Sequence, residues 1–193
     1  MTKLTIIIPV YNEIKTIEKL IKKILKIKIK KQLIIVDDGS SDGTELILKK
    51  YKNRIDRLIT HKKNRGKGAA IKSGQKFVKG KYIGIQDADL EYDPRDLKKI
   101  VNEMDKKNLK VMYGSRVLKK NKFKNTQNFT HIVRIWGNIF LTKASNFLNQ
   151  QKLTDAHTCY KVFDSKVFKK IKLKEKGFSF CPEITTKISM MNI

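Results

Sequence analysis

Acidic residues are scarce in this chain: of 193 residues, 18 are Asp or Glu against 44 Lys or Arg, for a formal net charge of +26. Cysteine is nearly absent. Cys159 and Cys181 fall in no CxxC or Cys/His ligand pattern, which excludes a disulfide framework and a zinc finger, and they read as reduced thiols of a cytosolic protein. Of the three histidines, none has ligand spacing; His61 and His131 read as surface residues, and His157 stays open between a site-lining and a structural role. Long apolar runs are missing too. The longest uncharged stretches, Leu4 to Asn12 and Ile135 to Thr142, fall far short of the roughly 18 apolar residues of a spanning helix. Met1 leads into Leu4-Thr5-Ile6-Ile7-Ile8 without the basic start, apolar stretch and cleavage site of an export signal, so no export is expected.

What is present predicts one folded domain. Forty per cent hydrophobic residues are too many for a disordered polycation, and 193 residues suffice for one domain with a real core. Of the 44 cations, 38 are Lys and 6 are Arg, scattered along the chain. A nucleic-acid binder concentrates Arg with aromatics on one face, and no helix-turn-helix, zinc-finger or RNP pattern occurs, so no nucleic-acid partner is expected. The lysines suit an anionic membrane surface or a phosphorylated substrate equally, and most of them read as solvated surface.

Short β-type runs alternate with helical spacing. Leu4 to Val10 is an unbroken strand-like run, followed by Ile14, Ile17, Leu20, Ile21, Ile24 and Leu25 at the spacing of one helix face. Further strands are expected at Leu33–Val36, Arg57–His61, Tyr82–Gln86 and Lys110–Tyr113. Helices are expected up to Tyr51, over Gly68–Val78, over Pro94–Lys106, and as a long amphipathic segment, Ile132–Leu148, that holds Trp136. Lys161–Phe168 and Pro182–Met191 are shorter elements, and the polar stretch Leu118–Asn128 is expected as a loop. Such βαβα order predicts an α/β fold, a mostly parallel sheet with helices on both faces.

In an open parallel sheet ligands bind beyond the carboxyl ends of the strands. Three of those ends are acidic in a chain poor in acids: Tyr11-Asn12-Glu13, Asp37-Asp38-Gly39-Ser40, and Gln86-Asp87-Ala88-Asp89. Gly66-Lys67-Gly68-Ala69-Ala70-Ile71 begins like GxGxxG but has Ile71 at the third position and follows the third strand, and no GxxxxGK[ST] occurs, so neither the usual dinucleotide fingerprint nor a P-loop is present. At a strand end, residues i and i+2 point the same way. Asp87 and Asp89 are therefore expected to converge on a hard cation, Mg²⁺ or Mn²⁺, with Glu91 joining them if the chain stays extended. Alone, Asp-x-Asp is more often a loop or helix-capping acid than a metal site, and Tyr11 is as compatible with core packing as with base stacking.

Taken together, Pro9-Val10-Tyr11-Asn12-Glu13, Asp37-Asp38-Gly39-Ser40-Ser41-Asp42-Gly43-Thr44, Asn64-Arg65-Gly66-Lys67-Gly68-Ala69-Ala70 and Asp87-Ala88-Asp89 resemble the family 2 glycosyltransferases of the GT-A, Rossmann-like fold. Gly114-Ser115-Arg116 and Leu153-Thr154-Asp155 through Thr158-Cys159-Tyr160-Lys161 resemble the branch that contains dolichyl-phosphate mannose synthase and related polyprenyl-phosphate sugar transferases. The resemblance implies an inverting, metal-dependent transfer of a sugar from a GDP- or UDP-linked donor to a polyprenyl or dolichyl phosphate. It implies that Pro9, Tyr11, Glu13, Asp38, Lys67 and Asp87 bind the nucleotide sugar. Asp87 and Asp89 would hold the metal, with Glu91 where relatives often carry Gln. A phosphate monoester is already dianionic near neutral pH and needs cations rather than a base. Arg116 and Arg134 are the candidates, on the argument that a guanidinium grips phosphate with two parallel hydrogen bonds. One rival is transfer to a glycan hydroxyl with Asp155 as base; another is a nucleic-acid module whose Asp residues are only caps. The expectation is one catalytic domain over 1–193, its last helical pattern stopping at Ile193 as if cut short, peripheral to the cytoplasmic face of a membrane.

Overall fold

The computed structural model describes residues 2–116 and 129–191, the side chains of 129–135 excepted. The expected loop Leu118–Asn128 and the side chains of His131 and Arg134 therefore lie outside the described residues. The strands are β1 (Leu4–Val10), β2 (Lys31–Asp37), β3 (Arg57–Thr60), β4 (Tyr82–Ile85), β5 (Val111–Tyr113) and β6 (Lys161–Asp164). The helices are α1 (Ile17–Leu25), α2 (Thr44–Lys50), α3 (Lys67–Gln75), α4 (Arg95–Lys106), α5 (Phe129–Asn149), α6 (Ser165–Lys170) and α7 (Phe180–Ser189). They build one six-stranded sheet in the order β3-β2-β1-β4-β6-β5.

β1 and β2 read as near-continuous apolar runs because both faces of the sheet are covered. Alternation along β1 sends Ile6 and Ile8 to a core shared with Ile17, Leu20, Ile21 and Ile24 of α1 and Leu97, Val101 and Met104 of α4. Ile7 goes to the opposite core, with Ala70 and Ile71 of α3, Phe168 of α6 and Ile184 of α7. Each fully buried Ile contributes about 1.5–3 kcal/mol by leaving water, so this central strand anchors both layers.

β1, β2, β3 and β4 are parallel. β6 departs from that pattern: it lies between β4 and β5 and is antiparallel to both. The register Tyr82↔Asp164 and Gly84↔Val162 shows why. The chain returns from α5 at the carboxyl rim of β4 and can only run back the other way, which brings residues 155–160 to that rim. Asp164 then starts α6 by accepting a hydrogen bond from Lys166 N. The expected long helix is α5, and among its described side chains Thr142 alone is buried, while Trp136, Phe140, Leu141, Phe147 and Leu148 are exposed. Among the described residues no helix is long and apolar enough to cross a membrane.

Candidate active site

The carboxyl ends of β1, β2 and β4 open onto a cavity of about 370 Å³. Pro9, Tyr11, Glu13, Asp38, Lys67, Asp87, Asp89 and Glu91 all line it, so the residues expected to bind nucleotide and metal are brought together. The loops that follow β1 and β2 are bonded to each other. Asn12 N donates to Ser40 Oγ at 2.9 Å, Ser41 N to Asn12 Oδ1 at 2.8 Å, and Glu13 N to Thr44 Oγ1 at 2.9 Å. Asn12 takes a positive φ of 54°, a conformation its short polar side chain tolerates.

The chain does not stay extended after β4. It turns at Ala88–Asp89, with Leu90 at φ 65°, and Asp89 Oδ1 accepts from Glu91 N at 2.9 Å. The turn is clamped from inside by buried Gln86, whose Nε2 donates to Asp87 O at 3.1 Å and Tyr92 O at 3.3 Å. Glu91, which lines the same cavity, has its Oε1 3.8 Å from Arg116 Nη1. Among the described residues no group of three or more His, Cys, Asp or Glu is placed to hold a metal. Two carboxylates at a pocket wall nevertheless fit a hard cation that keeps several waters and completes its shell with substrate phosphates.

Two of the acids are already engaged. Asp38, expected to bind the nucleotide sugar, accepts from His61 Nδ1 at 2.5 Å, Arg65 N at 3.0 Å and Gly66 N at 2.7 Å. His61 is thus buried rather than on the surface, bridging Asp38 to Ser73 Oγ at 2.9 Å. Asp38 thereby fixes the backbone that leads to Lys67. The Lys67 ammonium pairs with Asp87 Oδ1. Burial works against its charge, but Asp87 outweighs burial and raises the Lys67 pKa. Gly66 and Gly68 flank it because a Cβ on either would strike the carbonyl oxygens of Lys176 and Glu175.

On the β6 side, Arg116 and Asp155 form one unit. Arg116 Nε donates to Asp155 Oδ2 at 2.8 Å and Nη2 to Oδ1 at 3.0 Å, while Asn138 Nδ2 donates to Oδ1 at 3.3 Å. Asp155 is 1% exposed. Burial alone would raise its pKa, but the Arg116 hydrogen bonds and charge overcome that and hold it below the usual carboxylate value. Arg134 lies on α5 near its start, its side chain outside the described residues.

Several residues at or beside the cavity have no role assigned by the sequence, although Cys159 and Lys161 belong to the Thr158-Cys159-Tyr160-Lys161 motif. Cys159 lines the cavity and its Sγ lies 3.4 Å from Cys181 Sγ; this contact and burial push the Cys159 thiol up. Lys161 is fully buried, its Nζ held by the carbonyls of Ala156 and Thr158 and 4.4 Å from the Tyr113 ring centroid, and burial lowers its pKa. One buried lysine among 38 is invisible to composition. Phe178 joins the cavity from the segment before α7.

The model of Glycosyl transferase family 2 matches residues 5–172. The chain belongs to glycosyl transferase family 2. Among curated relatives, dodecaprenyl-phosphate galacturonate synthase of Rhizobium johnstonii is 26% identical over 93% of this chain and 53% of its own length. UDP-N-acetylglucosamine–dolichyl-phosphate N-acetylglucosaminyltransferase of Methanococcus voltae is 28% identical over 97% of this chain and 81% of its own. Glucosyl-3-phosphoglycerate synthase of Mycobacterium tuberculosis, solved with Mg²⁺ and UDP, superposes with a TM-score of 0.73 at 16% identity, over 99% of this chain and 65% of that one. The sheet is therefore of the GT-A type, as the motifs implied. The chain spans about half the length of the first curated relatives it matches.

Proposed function

We propose that this family 2 chain carries the catalytic site of an inverting, metal-dependent glycosyltransferase that moves a sugar from a nucleoside diphosphate to a polyprenyl or dolichyl phosphate. The observation that carries the acceptor is the state of Asp155. A hydroxyl acceptor needs a base, and the carboxylate named for it is buried, doubly bonded by Arg116 and held below the usual carboxylate value, which makes it a poor proton acceptor. A phosphate acceptor needs no base. The names of the Rhizobium and Methanococcus relatives, both of which state a polyprenyl-type phosphate, support the same choice.

Tyr11, half exposed at the cavity, is available to stack on the base, with Pro9 and Glu13 beside it. Asp38 acts through the Arg65–Gly66 backbone it holds. Mg²⁺ or Mn²⁺ on Asp87 and Asp89, with Glu91 adjacent, would stabilise charge developing on the departing β-phosphate oxygen. Lys67, with Asp87 engaged elsewhere, turns its ammonium to the same diphosphate. The acceptor phosphate oxygen attacks the anomeric carbon as the bond to the β-phosphate breaks, so the nucleoside diphosphate leaves with the bonding electrons and configuration inverts. Arg134, together with the Nη1 of Arg116 that lies outside its two bonds to Asp155, would meet the incoming dianion and offset its repulsion from the donor. The exposed Trp136, Phe140 and Phe147 of α5, with the lysine-rich surface, fit a peripheral site on the cytoplasmic face of a membrane, where the lipid resides.

The test is incubation with a panel of UDP- and GDP-sugars, Mn²⁺ and polyprenyl phosphate, with the lipid product read by mass. A glycosyl phospholipid is expected from the wild type, and Arg134→Ala should lose transfer while nucleotide binding stays nearly normal; Arg116→Ala should lose transfer too, but with a lowered melting temperature, because it strands the buried Asp155. Transfer to glycan hydroxyls alone would overturn the acceptor.

A further inference from the structure

We infer that Phe178 is a specificity-determining wall of the donor site, its ring stacking on the apolar C–H face of the transferred sugar. This rests on the donor reading above and adds the residue that grips the sugar. Phe178 is 77% exposed, yet it lines the cavity. The ring is left largely in water beside the cavity, in contact with the Lys67 ammonium.

The segment that carries the ring is anchored on both sides. On one side Lys176 O accepts from Ala69 N at 3.0 Å, and Lys174 N and Glu175 N donate to the Glu183 carboxylate at 2.7 and 3.0 Å. On the other, Phe180 is completely buried at the start of α7. Gly66 and Gly68 leave room for this segment to lie against the start of α3. Between these fixed points, the added Cβ at Gly177 would meet nothing, and Phe178 projects over the cavity.

Its neighbours say which part of a donor it meets. The Phe178 ring centroid lies 5.5 Å from Lys67 Nζ, and that ammonium pairs with Asp87. Phe178 therefore stands beside the groups assigned to the diphosphate, where the sugar follows the β-phosphate. Tyr11 comes from the loop entering α1, on one face of the sheet, and Phe178 from the segment entering α7, on the other. The cavity so has an aromatic ring in each wall, one available to the base and one to the sugar. A pyranose presents a C–H-rich face that stacks on an aromatic ring without stripping water from a charge.

The experiment is calorimetric titration of the full chain in Mn²⁺, without acceptor, using UDP, GDP, UDP-glucose, UDP-N-acetylglucosamine and GDP-mannose. Phe178→Ala should raise the Kd of the nucleotide sugar about 3- to 10-fold, the worth of one aromatic stacking contact, and leave the bare nucleotide within about twofold. Phe178→Tyr should restore sugar binding, and Phe178→Leu, of similar bulk but without the ring, should not. Equal losses for nucleotide and nucleotide sugar, no loss in Phe178→Ala, or full binding in Phe178→Leu would overturn the inference alone. Failure of the wild type to bind any of the five ligands would overturn the donor reading and this inference with it.

Discussion

Asp89 is an exposed carboxylate of the cavity and Asp155 a buried one beside it, and their substitution should fail in different ways. Asp89→Ala leaves the fold intact, because the side chain is exposed, and should lower turnover roughly a hundredfold or more, since a bound metal supplies several kcal/mol of transition-state stabilisation. Steady-state kinetics and a melting curve on the same sample check both halves. Asp155→Ala instead strands the half-buried Arg116, and should destabilise the protein by about 2–3 kcal/mol in urea, below the roughly 3–5 kcal/mol of a fully buried pair because Arg116 retains some solvent. The pH dependence follows from the same pair. The Asp155 carboxyl titrates lower folded than unfolded, so its stabilisation is full above the ordinary carboxylate range and is lost as pH falls through the folded value. Asp155→Asn should flatten that acid limb; an unchanged limb would assign it to other groups. The acids of the site were legible because acids are rare here and sit at strand ends. His61 was not, because its burial comes from meeting Asp38 across 23 positions, which no local pattern records.

At the scale of elements, the placement of Lys67 depends on the fit of α3 against the segment entering α7. Gly68→Ala would put a Cβ onto Glu175 O and 3.0 Å from Phe180 Cβ. Helix propensity favours Ala over Gly by about 1 kcal/mol, yet the clash should win and the variant should unfold at lower urea. A stabilised variant would mean that the segment moves freely, and Phe178 with it. The parallel strands β1, β2 and β4 were readable as apolar runs bounded by turn residues. β6 was not readable as a strand, because four residues, Lys161–Asp164, open with a lysine and run directly into α6. Its antiparallel direction is set by where α5 leaves the chain, a tertiary fact. Whether the chain turns after Asp87 was not legible for a similar reason: Gln86, buried beneath it, fixes the bend, and nothing in Asp-Ala-Asp requires one.

For the whole molecule, the net charge of +26 has a thermodynamic consequence apart from any partner. Self-repulsion of exposed lysines destabilises the compact state and is screened by salt, whose Debye length falls from roughly 30 Å at 0.01 M to about 8 Å at 0.15 M. The melting temperature should therefore rise between those salt concentrations, read by calorimetry, and a fall would show that attractive pairs such as Lys3–Asp105 and Lys81–Asp105 outweigh the repulsion. The same surface would draw the chain to anionic lipid, with α5 supplying exposed apolar side chains. Fold, cavity and charge meet in one claim, that the rim of β1, β2 and β4 binds a nucleoside diphosphate through a metal held by Asp87 and Asp89. The most direct measurement is titration of UDP and of GDP into the wild type and into Asp87→Asn/Asp89→Asn, each with Mn²⁺ and with excess chelator. The account predicts that at least one nucleotide binds the wild type tightly with Mn²⁺, and that chelator and the double variant each abolish most of that affinity. Binding that is indifferent to both would contradict it.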